Sequence, residues 1–302
     1  MGPLLLFITT FIWGTAFLAQ KLGGETLGPF AVTALRNVLG GVFLLALVGL
    51  RRVRPVASAR ASVRAGVACG VPLFAAMLAQ QIGIQYKTPG ISAFLTTNYV
   101  LFVPLLAALL TRKFPGPYVT FGVMLALGGT YLICMPGSEG LSVGRGELWT
   151  ILCAFLFAVQ MLVVDHFARK SDVLVLSATQ LFTAAALGAP FLMVPSESAR
   201  IAELFANPAS MLTPALSLVY LGVFSSGIAY TLQNFGQART PPALAAILLS
   251  MESVFGALSG YLVLGDRMTT AQFVGCALVF LAAAGSQLLA LREEKLSQTE
   301  KP

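Results

Sequence analysis

The sequence predicts an all-α integral membrane fold, ten transmembrane helices arranged as two inverted five-helix repeats, and three observations predict it. Hydrophobic residues make up 57% and charged residues 10% of the 302, against about 45–50% and about 25% in a soluble domain. Apolar runs near the roughly 20 residues that one bilayer crossing needs recur along the whole chain. The second half then reproduces the landmarks of the first.

Charge, Gly and Pro delimit spans near 3–21, 29–50, 64–85, 90–111, 116–134, 147–168, 172–194, 213–235, 242–263 and 269–290. The first has no basic stretch before it and no small-residue cleavage site after Trp13-Gly14, so it reads as a retained helix rather than a signal peptide. Pro29, Pro89 and Pro242 sit in the first turn of the second, fourth and ninth spans, where the missing N–H would be unpaired anyway. The segment from Arg292 is polar and is expected to fray.

Positions in spans 3–5 recur 153 residues later in spans 8–10, pairing Gln80 with Gln233, Gly83 with Gly236, Pro89 with Pro242, Phe102 with Phe255 and Gly122 with Gly275. For spans 1 and 2 the offset is 144, pairing Trp13 with Phe157 and Arg36 with Gln180, so the second half carries a nine-residue insertion, placed at 196–212 outside the membrane. The repeats are therefore expected at 1–136 and 147–290, with 291–302 a polar cytoplasmic tail. Five spans per half make the second copy enter from the opposite face, the inverted repeat of many secondary carriers, and a site is expected at midplane between the halves.

The net charge of +7 could suggest nucleic acid, but the basic residues separate apolar runs instead of forming an aromatic-interleaved patch. In alternate loops, thirteen Lys and Arg fall on one side (Arg51, Arg52, Arg54, Arg60, Arg64, Arg112, Lys113, Arg169, Lys170, Arg239, Arg292, Lys295, Lys301) and five on the other (Lys21, Lys87, Arg145, Arg200, Arg267). By the positive-inside rule both termini are cytoplasmic. Cys69, Cys134, Cys153 and Cys276 all lie within spans and lack CxxC spacing, which makes them packing residues rather than bridge or zinc ligands. A single histidine excludes a multi-His metal site, and no Walker, Rossmann or H-E-x-x-H motif appears. No cofactor is expected, and energy would come from a gradient, with protons one candidate coupling ion.

Glu252 is the one carboxylate in the middle of a span; a charge there costs at least about 2.5–3.5 kcal/mol unless it pairs, holds a proton or faces a cavity. Arg36, seven residues into the second span, comes close enough in depth for the two to pair. Tyr99 is the repeat mate of Glu252, and Tyr230, Gln233 and Gln237 share one helical face that matches Met77 and Gln80 in the first repeat. Trp13 lies too deep for the interfacial aromatic belt. The candidate substrate-binding set is thus Trp13, Arg36, Gln80, Tyr99, Tyr230, Gln233 and Glu252, with Gln81, Asn98, Gln160 and Gln237 as weaker candidates beside Asn234; amides in lipid also serve simply to join helices. Asp165 and His166, beside Arg169 and Lys170, read as a solvated helix end.

These residues resemble the EamA-type branch of the drug/metabolite transporter superfamily. The resemblance rests on Trp13-Gly14-Thr15, Ala34-Leu35-Arg36, the run from Tyr99 to Leu106, Gln233 to Gln237, Ser250 to Phe255, and Leu264-Gly265-Asp266-Arg267. Members commonly carry Glu at the place of Asp266, and often Pro at the place of Ser253, which would leave the ninth helix straighter here. The resemblance implies a central cavity and frequent export of amino acids or related metabolites across a bacterial cytoplasmic membrane. Uptake or exchange of an amine, nucleobase or drug is the alternative. A membrane-embedded enzyme, a channel and a sensor are further classes; the first lacks a nucleophile with a histidine base in a shared pattern. The expected partners are a small-molecule substrate and membrane lipids.

Overall fold

Lipid offers no water to the backbone, so every N–H and C=O in the membrane must be satisfied internally, and this chain meets the requirement with helices alone. The structure, a computed structural model, describes the chain except residues 51–57, 87–88, 135–143, 208–209, 260, 263–266 and 300–302; the side chains of 89–90, 134 and 291–299 also lie outside the described set. The charges Arg51, Arg52, Arg54, Lys87 and Lys301, residues 264–266 of the family resemblance, and the side chains of Cys134, Arg292 and Lys295 therefore fall outside it. Among the described residues, nine helices are long and apolar enough to cross a bilayer and Pro117–Ile133 adds a shorter apolar one.

The spans are α1 (Gly2–Thr26), α2 (Pro29–Leu50), α3 (Ala59–Tyr86), α4 with α5 (Pro89–Thr97, Tyr99–Thr111), α6 (Pro117–Cys134), α7 (Arg145–Ala168) and α8 (Val173–Gly188). A 3₁₀ turn (Ala189–Met193) leads to α9 (Pro195–Ala206), within the expected insertion. The eighth span is compound: α10 (Leu212–Val219), a π-helical segment (Tyr220–Ala229) and α11 (Tyr230–Gln237). Finally come α12 with α13 (Pro242–Leu249, Glu252–Ser259) and α14 (Thr270–Thr299). Prolines open α2, α4 and α12 as expected.

The halves pack mainly on each other. α3 lies along α7 and α8, and the repeat-related contacts put α1 and α2 along the eighth span; α4 and α5 meet α7 as α12 and α13 meet α1; α6 pairs with α14. The glycines show the same exchange at residue level. Gly83 abuts Thr150 and the Gly146 carbonyl, while Gly236 abuts Leu6 and the Gly2 carbonyl, each contact being the repeat mate of the other at offsets of 153 and 144. A buried core including Leu73, Val100, Phe157, Leu181, Ile247 and Val279 joins both halves.

Two expectations are corrected. The ninth span is not straightened by Ser253: it breaks at Ser250-Met251, where Met251, Ser253 and Val254 make tighter i→i−3 bonds to Leu248, Ser250 and Met251. The Ser250 and Ser253 hydroxyls take the Ile247 and Ser250 carbonyls at 2.7 and 2.8 Å, so serine hydroxyls support the break without a proline. The tail after Arg292 does not fray either; α14 stays helical to Thr299, in keeping with its Arg, Glu, Lys and Leu, all strong helix formers.

At the end of the bundle away from Met1, α2 starts without a side-chain cap of its own. Gly28 stands at the capping position, and the buried Glu197 of α9 occupies the space its side chain would need, accepting from the Ala31 N–H at 2.9 Å. A carboxylate there also meets the positive end of the helix dipole. Replacing Glu197 by Ala removes a helix cap, and the apparent stability in detergent should fall by about 0.5–2 kcal/mol. At the α6–α14 contact, an alanine Cβ at Gly275 would lie 2.5 Å from the Gly129 carbonyl, whereas one at Gly128 meets nothing within 4 Å. Thermal unfolding should accordingly show Gly275→Ala losing about 1–3 kcal/mol and Gly128→Ala changing by no more than about 0.5 kcal/mol.

Candidate functional site

Three departures from regular α-helix occur around one cavity. α4 gives way to α5 at Asn98, α12 to α13 at Ser250-Met251, 153 residues on, and the π-helical segment widens the eighth span. Pro72, inside α3, is the repeat mate of Ser225 in that segment. Such breaks are tolerated at membrane depth where they are buried in protein or line a cavity, and a narrow cavity of about 30 Å³ is what they surround.

The seven leading candidates, Trp13, Arg36, Gln80, Tyr99, Tyr230, Gln233 and Glu252, all line it. Tyr99 and Glu252 each begin the helix after a break, and the Tyr99 hydroxyl donates to Glu252 Oε1 at 3.1 Å. These two are repeat mates, so the bond lies where the two halves meet on their pseudo-twofold relation. Gly14 explains the neighbouring Trp-Gly pair: any side chain there would strike the Glu252 carbonyl and Phe255, so glycine lets α1 pass directly behind the start of α13. Trp13 then packs against Tyr230 at a tilt of 56°, ring centroids 4.7 Å apart, and donates its indole N–H to the Ser225 carbonyl at 3.1 Å.

Arg36 corrects an expectation. It does not pair with Glu252; its Nε donates to Ser226 Oγ at 3.0 Å and its Nη2 to Ser225 Oγ at 2.8 Å, with only 3% of the residue exposed. The π-helical segment sets both hydroxyls against α2, a placement no spacing rule for an α-helix foretells. The guanidinium and the carboxylate thus belong to different walls: α2 with the π segment, and α5 with α13.

Gln80 donates to Thr96 Oγ1 and Gln233 to Gln160 Oε1, each at 3.4 Å, while the Gln233 and Gln20 side-chain carbonyls are buried without a partner. The weaker candidates do not line the cavity: Gln81 donates to the Gln20 backbone carbonyl at 3.0 Å and Gln237 to the Met161 backbone carbonyl at 3.1 Å, joining helices, while Asn98 turns back on its own span to the Phe94 and Leu95 carbonyls at 3.0 and 3.1 Å. Asn234 binds Ser177 and Gln180. Met77 and Gln237, expected on the central face, lie off it; Met77 receives an Asn37 amide at 3.2 Å. Ala16, Phe17, Gln20, Thr96, Phe157, Met161, Ser225 and Leu249 complete the lining. The repeat offsets pair Phe17 with Met161 and Thr96 with Leu249, so the internal symmetry carried a signal for these; Ser225 depended on the π turn. Asp165 and Arg169 form an exposed pair at 3.1 Å at the end of α7, as expected of a helix terminus.

The EamA-like transporter family model matches residues 1–135 and again 144–286. The chain belongs to the EamA-like transporter family. Relatives include an uncharacterized transporter of Archaeoglobus fulgidus, 27% identical over 92% of this chain and 82% of that protein. A WAT1-related chloroplastic protein of Arabidopsis thaliana is 25% identical over 90% of this chain and 66% of its own length. The threonine/homoserine exporter RhtA of Salmonella typhimurium is 30% identical over 80 residues, 26% of this chain and 27% of that protein. A crystal structure at 23% identity shares the fold with a TM-score of 0.77, covering 97% of this chain and 98% of the other.

With two tryptophans in the chain, Trp149 being half-exposed on the outside of the bundle, Trp149→Phe leaves Trp13 as the sole indole fluorophore. A solute that enters the cavity should shift or quench its emission, and Trp13→Phe, which loses the bond to Ser225, should cost about 0.5–1.5 kcal/mol in thermal unfolding.

Proposed function

We propose that the chain is a secondary transporter that exports an amino acid or a closely related zwitterionic metabolite by alternating access. One observation carries the reading: a buried guanidinium and a buried carboxylate stand on different walls of one aromatic-lined midplane cavity. An α-amino acid carries the two complementary charges, its carboxylate suited to Arg36 and its ammonium to Glu252, and charge-assisted hydrogen bonds of this kind are the strong ones. Trp13, Tyr230 and Phe157 supply cation-attracting and apolar surface around them. Gln80, Gln233 and Tyr99 orient the solute, and the unpartnered Gln233 carbonyl suits a hydroxyl or amine donor. The partial likeness to a threonine/homoserine exporter points to the same class.

On this reading the repeats, 1–136 and 147–290, rock about the cavity, their breaks acting as hinges. Glu252 exchanges a proton for the ammonium of the solute, which couples export to the proton gradient. The Lys and Arg distribution supports cytoplasmic termini by the positive-inside rule, and the partial likeness to a bacterial exporter supports a bacterial inner membrane.

Proteoliposomes loaded with L-threonine, L-homoserine, or one representative each of the amines, nucleobases and organic cations provide the test by counterflow. Wild-type protein should exchange an amino acid; Glu252→Gln and Arg36→Gln should insert normally and lose at least about tenfold in exchange, the effect of about 1.4 kcal/mol in transition-state or binding free energy. Undiminished proton-dependent exchange by Glu252→Gln would remove the carboxylate from the mechanism, and exchange confined to an amine or nucleobase would replace the substrate class.

A further inference from the structure

We infer that the end of the bundle away from Met1 holds a second solute site, a vestibule that receives the carboxylate of a small organic acid or amino acid before release. It shares Gln20 with the central cavity and is further lined by Lys21, Glu25, Gln85 and Arg200. This deepens the transport reading, but the site itself requires only a carboxylate.

Lys21 comes from α1, Gln85 from α3 and Arg200 from α9, so three separate elements converge on it. The Lys21 ammonium reaches the Ile84 carbonyl at 3.5 Å, which steers it along the cavity wall. Neither cation meets a carboxylate within 4 Å among the described residues. Arg200 lies one turn beyond Glu197, the residue that fastens α9 to the start of α2, so its position over the cavity is set by a built contact. Two cations against the one carboxylate of Glu25 favour an anionic group. The Gln20 side-chain carbonyl, on a residue 4% exposed, and the Gln85 amide nitrogen are buried without partners and supply an acceptor and a donor for the rest of the ligand.

The repeat gives an internal control. The positions 144 residues beyond Lys21 and Glu25 are Asp165 and Arg169, which neutralise one another at 3.1 Å. The mates of Gln20 and Gln85 are Val164 and Ala238, packed with Ala65, Cys69, Ala168 and Leu176. Arg200, inside the insertion, has no mate. The same architecture is therefore apolar and charge-paired at one end, and polar with unpaired cations at the other. A surface generated only by helix ends meeting water would not differ so systematically between equivalent positions.

The test is acylation of native Lys21 by an amine-reactive sulfonated ester, followed by mass spectrometry, with the full chain in phosphatidylcholine nanodiscs that expose both faces. L-Threonine, L-alanine and acetate are the probes, with L-threonine methyl ester as the control lacking a carboxylate. Because the free amines of the probes also consume the reagent, Lys21 modification is read relative to exposed Lys170 in the same sample: at least one of the three carboxylates should slow it several-fold, the ester should not, Arg200→Gln should abolish the protection, and Glu252→Gln should leave it in place. Lys21 protection by no carboxylate, or equal protection by the ester, overturns the vestibule whatever the counterflow shows. Protection that disappears in Glu252→Gln assigns it to the central cavity and also overturns the second site. Protection by acetate without amino-acid exchange upholds the vestibule while the transport reading fails. Protection seen without added solute in phosphatidylglycerol nanodiscs, and not increased by any carboxylate in phosphatidylcholine, identifies a lipid headgroup as the occupant and overturns the proposal.

Discussion

A backbone in hydrocarbon must find all its hydrogen-bond partners within the protein, and each unpaired group costs several kcal/mol. That constraint makes regular helix the default for every span, so irregularity is informative. In this chain the two helix breaks and the π-helical segment fall around one cavity. Each break has its own local supply of partners: the Asn98 amide at the first, serine hydroxyls at the second. The π segment offers its Ser225 carbonyl to Trp13 and its hydroxyls to Arg36. The groups that make the breaks tolerable are thereby the ones that position the site.

The inverted repeat then sets where the breaks can meet. Because the halves exchange contacts, as Gly83 against Thr150 and Gly236 against Leu6 show, equivalent residues are brought face to face near the pseudo-twofold axis. Tyr99 and Glu252 touch for this reason. One is a phenol and the other a carboxylate, so symmetry of backbone coexists with asymmetry of chemistry. The same division holds at the ends of the bundle, where the insertion bearing Glu197 and Arg200 exists in one half alone and gives that end its cap and its polar vestibule.

Much of the fold and a large part of the candidate site were legible in the residue order. The ten spans followed from hydropathy and the repeat offsets, the proline starts from the missing N–H, and Trp13, Arg36, Gln80, Tyr99, Tyr230, Gln233 and Glu252 from depth in the membrane combined with the repeat. Gln81, Asn98, Gln160 and Gln237 were less legible because a buried amide has the same composition whether it meets a solute or a neighbouring helix. Only its direction distinguishes the two: the structure turns Gln81 and Gln237 to backbone carbonyls of neighbouring helices, Asn98 back to its own span, and sets Gln160 behind Gln233.

What the sequence by itself determined is the part governed by period and polarity: membrane solvent, helix number, the internal repeat and which polar side chains lie deep. What only the tertiary structure decided is who partners whom. Arg36 turned to Ser225 and Ser226 rather than Glu252 because a π-helical turn shifts side chains off the 100° spacing on which sequence reading depends. The break at Ser250-Met251 formed without a proline because hydroxyls and tightened backbone bonds satisfied the freed groups. Both outcomes rest on hydrogen-bond geometry between elements far apart in the chain or in successive turns of it, and that geometry exists only once the halves are packed.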